Sequence, residues 1–133
     1  MIEYRENKEF TKEDLKKLFL SVEWESANYP DRLVEAMKNS HVVISAYNGN
    51  ELIGLMSAIS DGEMSAYFPY LLVNQKYQGL GIGKQLVLRM LGKYKNYYKK
   101  ALICYGDKRE FYEKCGFEFA EGKLPMFIDT PTI

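Results

Sequence analysis

The run Leu71-Leu72-Val73-Asn74-Gln75-Lys76-Tyr77-Gln78-Gly79-Leu80-Gly81-Ile82-Gly83-Lys84 passes from an apolar strand into three alternate glycines. Downstream, Ile82, Leu86, Val87, Met90 and Leu91 recur at helical spacing and predict a helix to about Tyr94. The local order is strand, glycine turn, helix. Amides at a helix N-terminus have no internal acceptor and carry the positive end of the helix dipole, so a turn stripped of side chains there suits a phosphate or pyrophosphate. Two commoner phosphate motifs fail on spacing. A dinucleotide fingerprint starting at Gly79 needs a glycine where Lys84 stands, and the NTPase loop needs Ser or Thr where Gln85 stands.

Working outward, Met64 to Val73 reads as one strand interrupted by Pro69, which cannot donate to a ladder and predicts a bulge or a parting of neighbours. Before it, Val42 to Tyr47, Asn48-Gly49-Asn50 and Glu51 to Ser60 read as a hairpin closed by an Asn-Gly turn. Ile2 to Arg5 is a short first strand. Thr11 with Asp14 three residues on opens a helix through Val22, with Leu15, Leu18, Phe19 and Val22 as its apolar stripe. Pro30 suits the first turn of a second helix carrying Leu33, Val34 and Met37. After the glycine turn and its helix come a buried strand from Ala101 to Tyr105, a short helix Arg109 to Lys114 ended by Gly116, and two last strands at Phe117 to Phe119 and Met126 to Ile128. The expectation is one α/β (α+β) domain over residues 1–133.

Composition narrows the partners. With 47% apolar residues among 133, the chain can build one core. Eighteen basic and eighteen acidic side chains cancel, so no overall field draws nucleic acid or an anionic membrane. Lys93, Lys95, Lys99 and Lys100, interleaved with Tyr94, Tyr97 and Tyr98, read as a solvated helix end. Cys104, Cys115 and the single His41 have no zinc spacing, so no metal is expected, and the thiols read as reduced packing residues. No signal peptide or membrane span is evident, and a cytoplasmic protein acting on a small molecule is expected.

Gln78-x-x-Gly81-x-Gly83 after the strand Leu71-Leu72-Val73 resembles the acetyl-CoA signature of the GNAT superfamily of N-acetyltransferases. Phe111-Tyr112-Glu113-Lys114-Cys115-Gly116-Phe117 resembles its second hallmark, in the family's order and approximate spacing. The resemblance covers nearly the whole chain. It implies a largely antiparallel central sheet with a splayed pair of strands, flanked by helices on both faces. It also implies that acetyl-CoA is the acyl donor, its pantetheine bonding to backbone at Leu71, Leu72 and Val73. The pyrophosphate would lie on amides from Gln78, Gly79, Leu80, Gly81, Ile82, Gly83 and Lys84, and an amide near Leu71 would polarise the thioester carbonyl. Tyr112 matches the family's general acid toward departing thiolate, a thiol of pKa ~8.5 against a phenol of ~10. Packing of the last helix is the alternative role for Tyr112.

Trp24, Tyr29, Tyr67 and Tyr70 are the candidate walls of an acceptor pocket by the same resemblance. The expected reaction is acetyl transfer to a primary amine of a small molecule, by direct attack in a ternary complex. A protein amine and a catalytically silent CoA-binding module stand as alternatives. Homodimers are common in the family, and no residue here marks an interface. The sequence departs from the family in two places. Asp107 occupies the turn where many members carry asparagine, as a helix cap or a cofactor contact. No carboxylate or histidine lies on Met64 to Val73 to serve as base, leaving Asp61, Glu63, Glu25 or a water relay through Tyr67 or Tyr70.

Overall fold

The computed structural model describes residues 1–130 of the chain. Two compact units divide it, Met1–Leu102 and Ile103–Ile133. The first contains β1 (Ile2–Glu6), α1 (Lys12–Ser21), α2 (Pro30–Asn39), β2 (Val42–Asn48), β3 (Glu51–Ser60), β4 (Ser65–Tyr67), β5 (Leu71–Val73), α3 (Ile82–Lys93) and β6 (Lys99–Ala101), with 3₁₀ turns at Glu25–Asn28 and Gln75–Tyr77. The second contains a 3₁₀ turn at Gly106–Lys108 and α4 (Arg109–Lys114).

The sheet runs β1-β2-β3-β4-β6, with β5 also paired to β3. Every pairing is antiparallel except β4 with β6. The alternation of side chains in β3 divides its contacts between two helical layers. Leu55, with Val43 and Leu72, packs into the core built by Leu15, Leu18, Phe19, Leu33 and Met37 of α1 and α2. Gly54 meets α3 instead: a Cβ added there would sit 3.3 Å from Leu86 Cδ1 and 3.6 Å from Ile82 Cγ2. Helices thus cover both faces.

Local chemistry accounts for the helix ends. Thr11 accepts the Asp14 N–H at 3.1 Å and caps α1. At the other end Glu23 N–H donates to Leu20 C=O at 3.0 Å and Trp24 N–H to Phe19 C=O at 3.2 Å. This is a Schellman stop with its usual apolar contact, the Phe19 and Trp24 rings lying 5.9 Å apart. Glu23, at φ 59, occupies the left-handed position that normally falls to glycine.

The strand expected over Met64 to Val73 is broken in two, and the break is a bulge. Met56 pairs with Leu71 and Ile59 with Tyr67, so residues 57 and 58 of β3 face residues 68 to 70 of its neighbour. Pro69 lies inside that extra length. Phe68 N–H reaches Ala101 C=O at 3.0 Å, and β6 ends there.

Three sequence expectations need correction. The strand placed at Ala101 to Tyr105 begins at Lys99 and ends at Ala101, where its parallel register with β4 stops. Cys104 is correspondingly an exposed thiol and not a packing residue. Phe117 to Phe119 and Met126 to Ile128 form no strand; Met126 is 90% exposed and Ile128 100%, and apolar character without a pairing strand does not make a ladder.

Candidate functional site

The opening in the sheet follows from the bulge. Asn74 N–H donates to Ile53 C=O at 2.7 Å and Ser57 N–H to Tyr70 C=O at 2.9 Å. In an antiparallel ladder, groups facing one neighbour alternate along the strand. Leu72 therefore directs its N–H and C=O to Leu55 of β3, while Leu71 and Val73 direct theirs the other way. On that side β5 has no ladder partner among the described residues. Of the three residues expected to offer backbone, Leu71 and Val73 face the open edge, and Leu72 sends a 4% exposed side chain into the core.

The chain then makes one 3₁₀ turn, capped by the Asn74 side chain accepting Lys76 N–H at 3.0 Å, and enters the glycines. Gly79 has φ 84 and Gly81 φ 82, the left-handed region, and Gly81 is the N-cap of α3. A Cβ at either glycine would project into open space. The backbone is therefore bare on that side, and the first amides of the 12-residue α3 follow immediately. Leu80 is 67% exposed and Lys84 exposed; Gly83 lies in the first turn, and Ile82, 2% exposed, anchors the helix to the sheet. The Gln78 side chain turns back on the strand, its Nε2 donating to Val73 C=O at 3.0 Å.

Among the candidate acceptor residues, Trp24 and Tyr70 are brought together, their ring centroids 6.2 Å apart, with Phe19 5.3 Å from Tyr70. The bulge has a further effect on this group. Tyr67 pairs with Ile59, and Tyr70 bonds to Ser57. Ser57 and Ile59 are two apart on β3, so Tyr67 and Tyr70 share a face although they are three positions apart. A cavity of about 280 Å³ opens beside Ile59, Ser65, Tyr67 and Lys99. Burial, reinforced by Tyr67, raises the Tyr70 phenol above its ordinary pKa. Tyr29 is the N-cap residue of α2, where its carbonyl accepts from Arg32 and Leu33.

Sequence reasoning missed Ser57. It is fully buried, and its hydroxyl has no hydrogen-bond partner among the described residues. Nothing in Leu55-Met56-Ser57-Ala58 signals that isolation.

The candidate bases separate on geometry. Asp61 Oδ1 accepts backbone N–H groups from Glu63, Met64 and Ser65 at 2.9, 2.8 and 3.1 Å. These bonds, Glu63's foremost, hold its carboxyl below the usual range, so Asp61 staples the turn. Glu63 and Glu25 are exposed. His41 places Nδ1 2.6 Å from the hydroxyl of the fully buried Tyr94. Among the described residues no group of three or more His, Cys, Asp or Glu gathers to hold a metal ion.

In the second unit Tyr112 lies on α4. Its ring meets Phe111 at 5.0 Å and Phe117 at 5.9 Å. Phe117 N–H donates to Tyr112 C=O and Gly116 N–H to Glu113 C=O, both at 3.0 Å, with Gly116 at φ 103. The Gly116-Phe117 pair is thus a second Schellman stop. Burial first, then Cys104 and Cys115, pushes the Tyr112 phenol up to about 12. Asp107 lies within the 3₁₀ turn, and Lys108 is the N-cap of α4, without a side-chain cap bond.

A sheet parted along one strand, with bare amides at the mouth of the parting, is the architecture expected of a transferase that takes its acyl group from a coenzyme A thioester. The family model of the GNAT acetyltransferase domain matches residues 38–119, over half of the chain, and the chain belongs to that family. A histone acetyltransferase, TAP1, from Glycine max is 34% identical over 110 residues, covering 72% of this chain and 48% of that protein. The chloroplastic GCN5-related N-acetyltransferase 3 of Arabidopsis thaliana is 31% identical over 107 residues, covering 79% of this chain and 45% of that one. The chain spans about half the length of these curated relatives. A GNAT-family acetyltransferase structure from Streptococcus pneumoniae TIGR4 superposes with a TM-score of 0.81 at 28% identity, covering 97% of this chain and 98% of that one.

Proposed function

We propose that the chain transfers acetyl from acetyl-CoA to the primary amine of a small molecule, such as an amino acid or polyamine, by direct attack in a ternary complex. The observation that carries this reading is the open edge of β5 leading into the left-handed glycines at the head of α3. Pantetheine adds to that edge as an extra strand, bonding to Leu71 and Val73, and the pyrophosphate sits on amides of the turn and the first turn of α3. Leu71 N–H, turned away from β3, polarises the thioester carbonyl as negative charge builds on its oxygen. The amine nitrogen bonds to the carbonyl carbon, the tetrahedral intermediate collapses, and the C–S bond breaks with its electron pair on sulfur. Tyr112 donates a proton to that thiolate as general acid. The acceptor lies along the face carrying Trp24, Tyr67 and Tyr70; its ammonium loses one proton through water before attack, and the second, shed as the amide forms, restores the proton Tyr112 gave up.

A protein amine is the second reading, favoured by the name of the soybean relative, a histone acetyltransferase. Calorimetric titration with acetyl-CoA, CoA, ATP and NAD, followed by thiol release across a panel of free amines and a lysine-containing histone-tail peptide, tests both. Selective CoA binding with thiol release driven by free amines is the expected result. Release driven by the peptide alone transfers the assignment to protein acetylation. Selective binding with no release under any amine supports a silent CoA-binding module, and failure of the folded protein to bind CoA ends the transferase reading.

A further inference from the structure

The glycine turn lacks an anchor of its own. Gln78, Gly79, Leu80 and Gly81 are all exposed, and neither left-handed glycine has a protein atom within 4 Å of where its Cβ would be. Buried Ile82 fixes the turn at its exit. At its entrance stand Tyr77 and Gln78, whose side chains make bonds the sequence motif does not announce. Tyr77 Oη donates to Glu51 Oε1 at 3.1 Å and accepts from Asn48 Nδ2 at 3.0 Å. Asn48 ends β2 and Glu51 begins β3, so both bonds tie the entrance to the hairpin, whose two-residue loop is Gly49-Asn50. Lys17 of α1 holds the other oxygen of Glu51 at 3.1 Å, and with Tyr77 it keeps that carboxyl ionised below its ordinary range. Gln78 Nε2 then fastens the next residue to Val73 C=O, at the end of the open edge.

We infer that Tyr77 and Gln78 are positioning residues, which hold the entrance of the glycine turn to the β2–β3 hairpin, α1 and the end of β5 so that its amides converge on the donor's pyrophosphate before it arrives. An exposed turn with left-handed glycines has many conformations, and each one it must give up on binding weakens affinity. Bonds that fix the turn beforehand lower that cost and act on the donor's affinity alone. Glu51 and Lys17 act through Tyr77 and touch no reacting atom.

The inference rests on the proposed acetyl-CoA site, and the test separates the two. Acetyl-CoA dissociation constants, steady-state constants for both substrates and thermal midpoints are measured for the wild type, Tyr77→Phe, Glu51→Ala, their double variant, Gln78→Glu and Gln78→Arg. Tyr77→Phe and Glu51→Ala should each raise the Kd and KM for acetyl-CoA about 3- to 10-fold, the loss expected for a hydrogen bond, while the acceptor KM stays fixed. Their double variant should be little worse than either, because both break one chain of contacts. Gln78→Glu, which removes the donor, should weaken acetyl-CoA binding, and Gln78→Arg, which keeps an N–H of similar reach, should recover it. A merely structural role would lower the thermal midpoint without touching the donor KM, and that result overturns the inference. So does unchanged acetyl-CoA affinity in folded Tyr77→Phe and Gln78→Glu; the surface variant Gln78→Glu keeps the test decisive if Tyr77→Phe fails to fold. No binding of acetyl-CoA by folded wild type removes the site itself and the inference with it.

Discussion

Tyr112 illustrates how much a residue's surroundings alter its chemistry. With its pKa pushed up to about 12, the phenol is protonated throughout the physiological range, and it is a weaker acid than a free tyrosine. In the proposed mechanism its help to the leaving sulfur is therefore chiefly a hydrogen bond that strengthens as thiolate charge builds up. Tyr112→Phe should lower kcat by roughly 10- to 10⁴-fold with acetyl-CoA affinity retained. Unaltered turnover would take Tyr112 out of the mechanism. Glu23 gives a stability prediction of the opposite sign. Its φ of 59 at the Schellman position of α1 is costly for a residue with a Cβ. Glu23→Gly should stabilise the fold by about 0.5 to 1 kcal/mol, since glycine adopts that conformation freely even after its extra unfolded-state entropy is charged. Thermal melting checks it, and a lowered midpoint would mean the Glu23 side chain contributes a stabilising contact.

At the scale of elements, α3 lies against β3 because Gly54 has no side chain. An added Cβ would come within 3.2 Å of Leu72 O, a backbone atom that cannot step aside, as well as 3.3 Å from Leu86 Cδ1. Gly54→Val should push the first two turns of α3 off the sheet and destabilise the protein by about 1 to 3 kcal/mol, the usual cost of overpacking. Because the glycine turn opens that same helix, acetyl-CoA affinity should fall along with stability, while a variant confined to α1, such as Glu23→Gly, leaves affinity unchanged. Denaturant unfolding with parallel calorimetry measures both. A folded Gly54→Val with wild-type affinity would show that the helix start does not depend on its packing against β3.

For the whole molecule, two tyrosines contribute to the loss of stability at alkaline pH. Burial raises both Tyr94 and Tyr112 to about 12, against about 10 in an unfolded chain. The unfolded state thus releases these protons first, so the stabilisation they contribute is fully present below about pH 10 and is lost as pH rises to about 12. Thermal midpoints followed across that window should fall, and Tyr94→Phe should fall less steeply while starting lower for want of the bond to His41. A midpoint that stays level between those limits would sink the assignment. Among the described residues no helix is long and apolar enough to cross a membrane.

What the sequence determined by itself was local. Thr11 and Asp14 mark the start of α1, Asn48-Gly49-Asn50 the place of the hairpin, though its loop is Gly49-Asn50 and not the expected Asn-Gly turn, the alternate glycines the head of α3, and Gly116 the end of α4, because caps, left-handed residues and helical spacing act within a few positions of themselves. The two family motifs were legible for the same reason. The tertiary structure alone decided what depends on pairing across the chain. Register gave β6 its start at Lys99, withheld strands from Phe117 to Phe119 and Met126 to Ile128, and turned Leu71 and Val73, but not Leu72, to the open edge. The bulge around Pro69 set Tyr67 and Tyr70 on one face, and the meeting of Tyr77 with Glu51 joined residues 26 positions apart. A strand's pattern states which side chains alternate; only its neighbour states which backbone groups remain free.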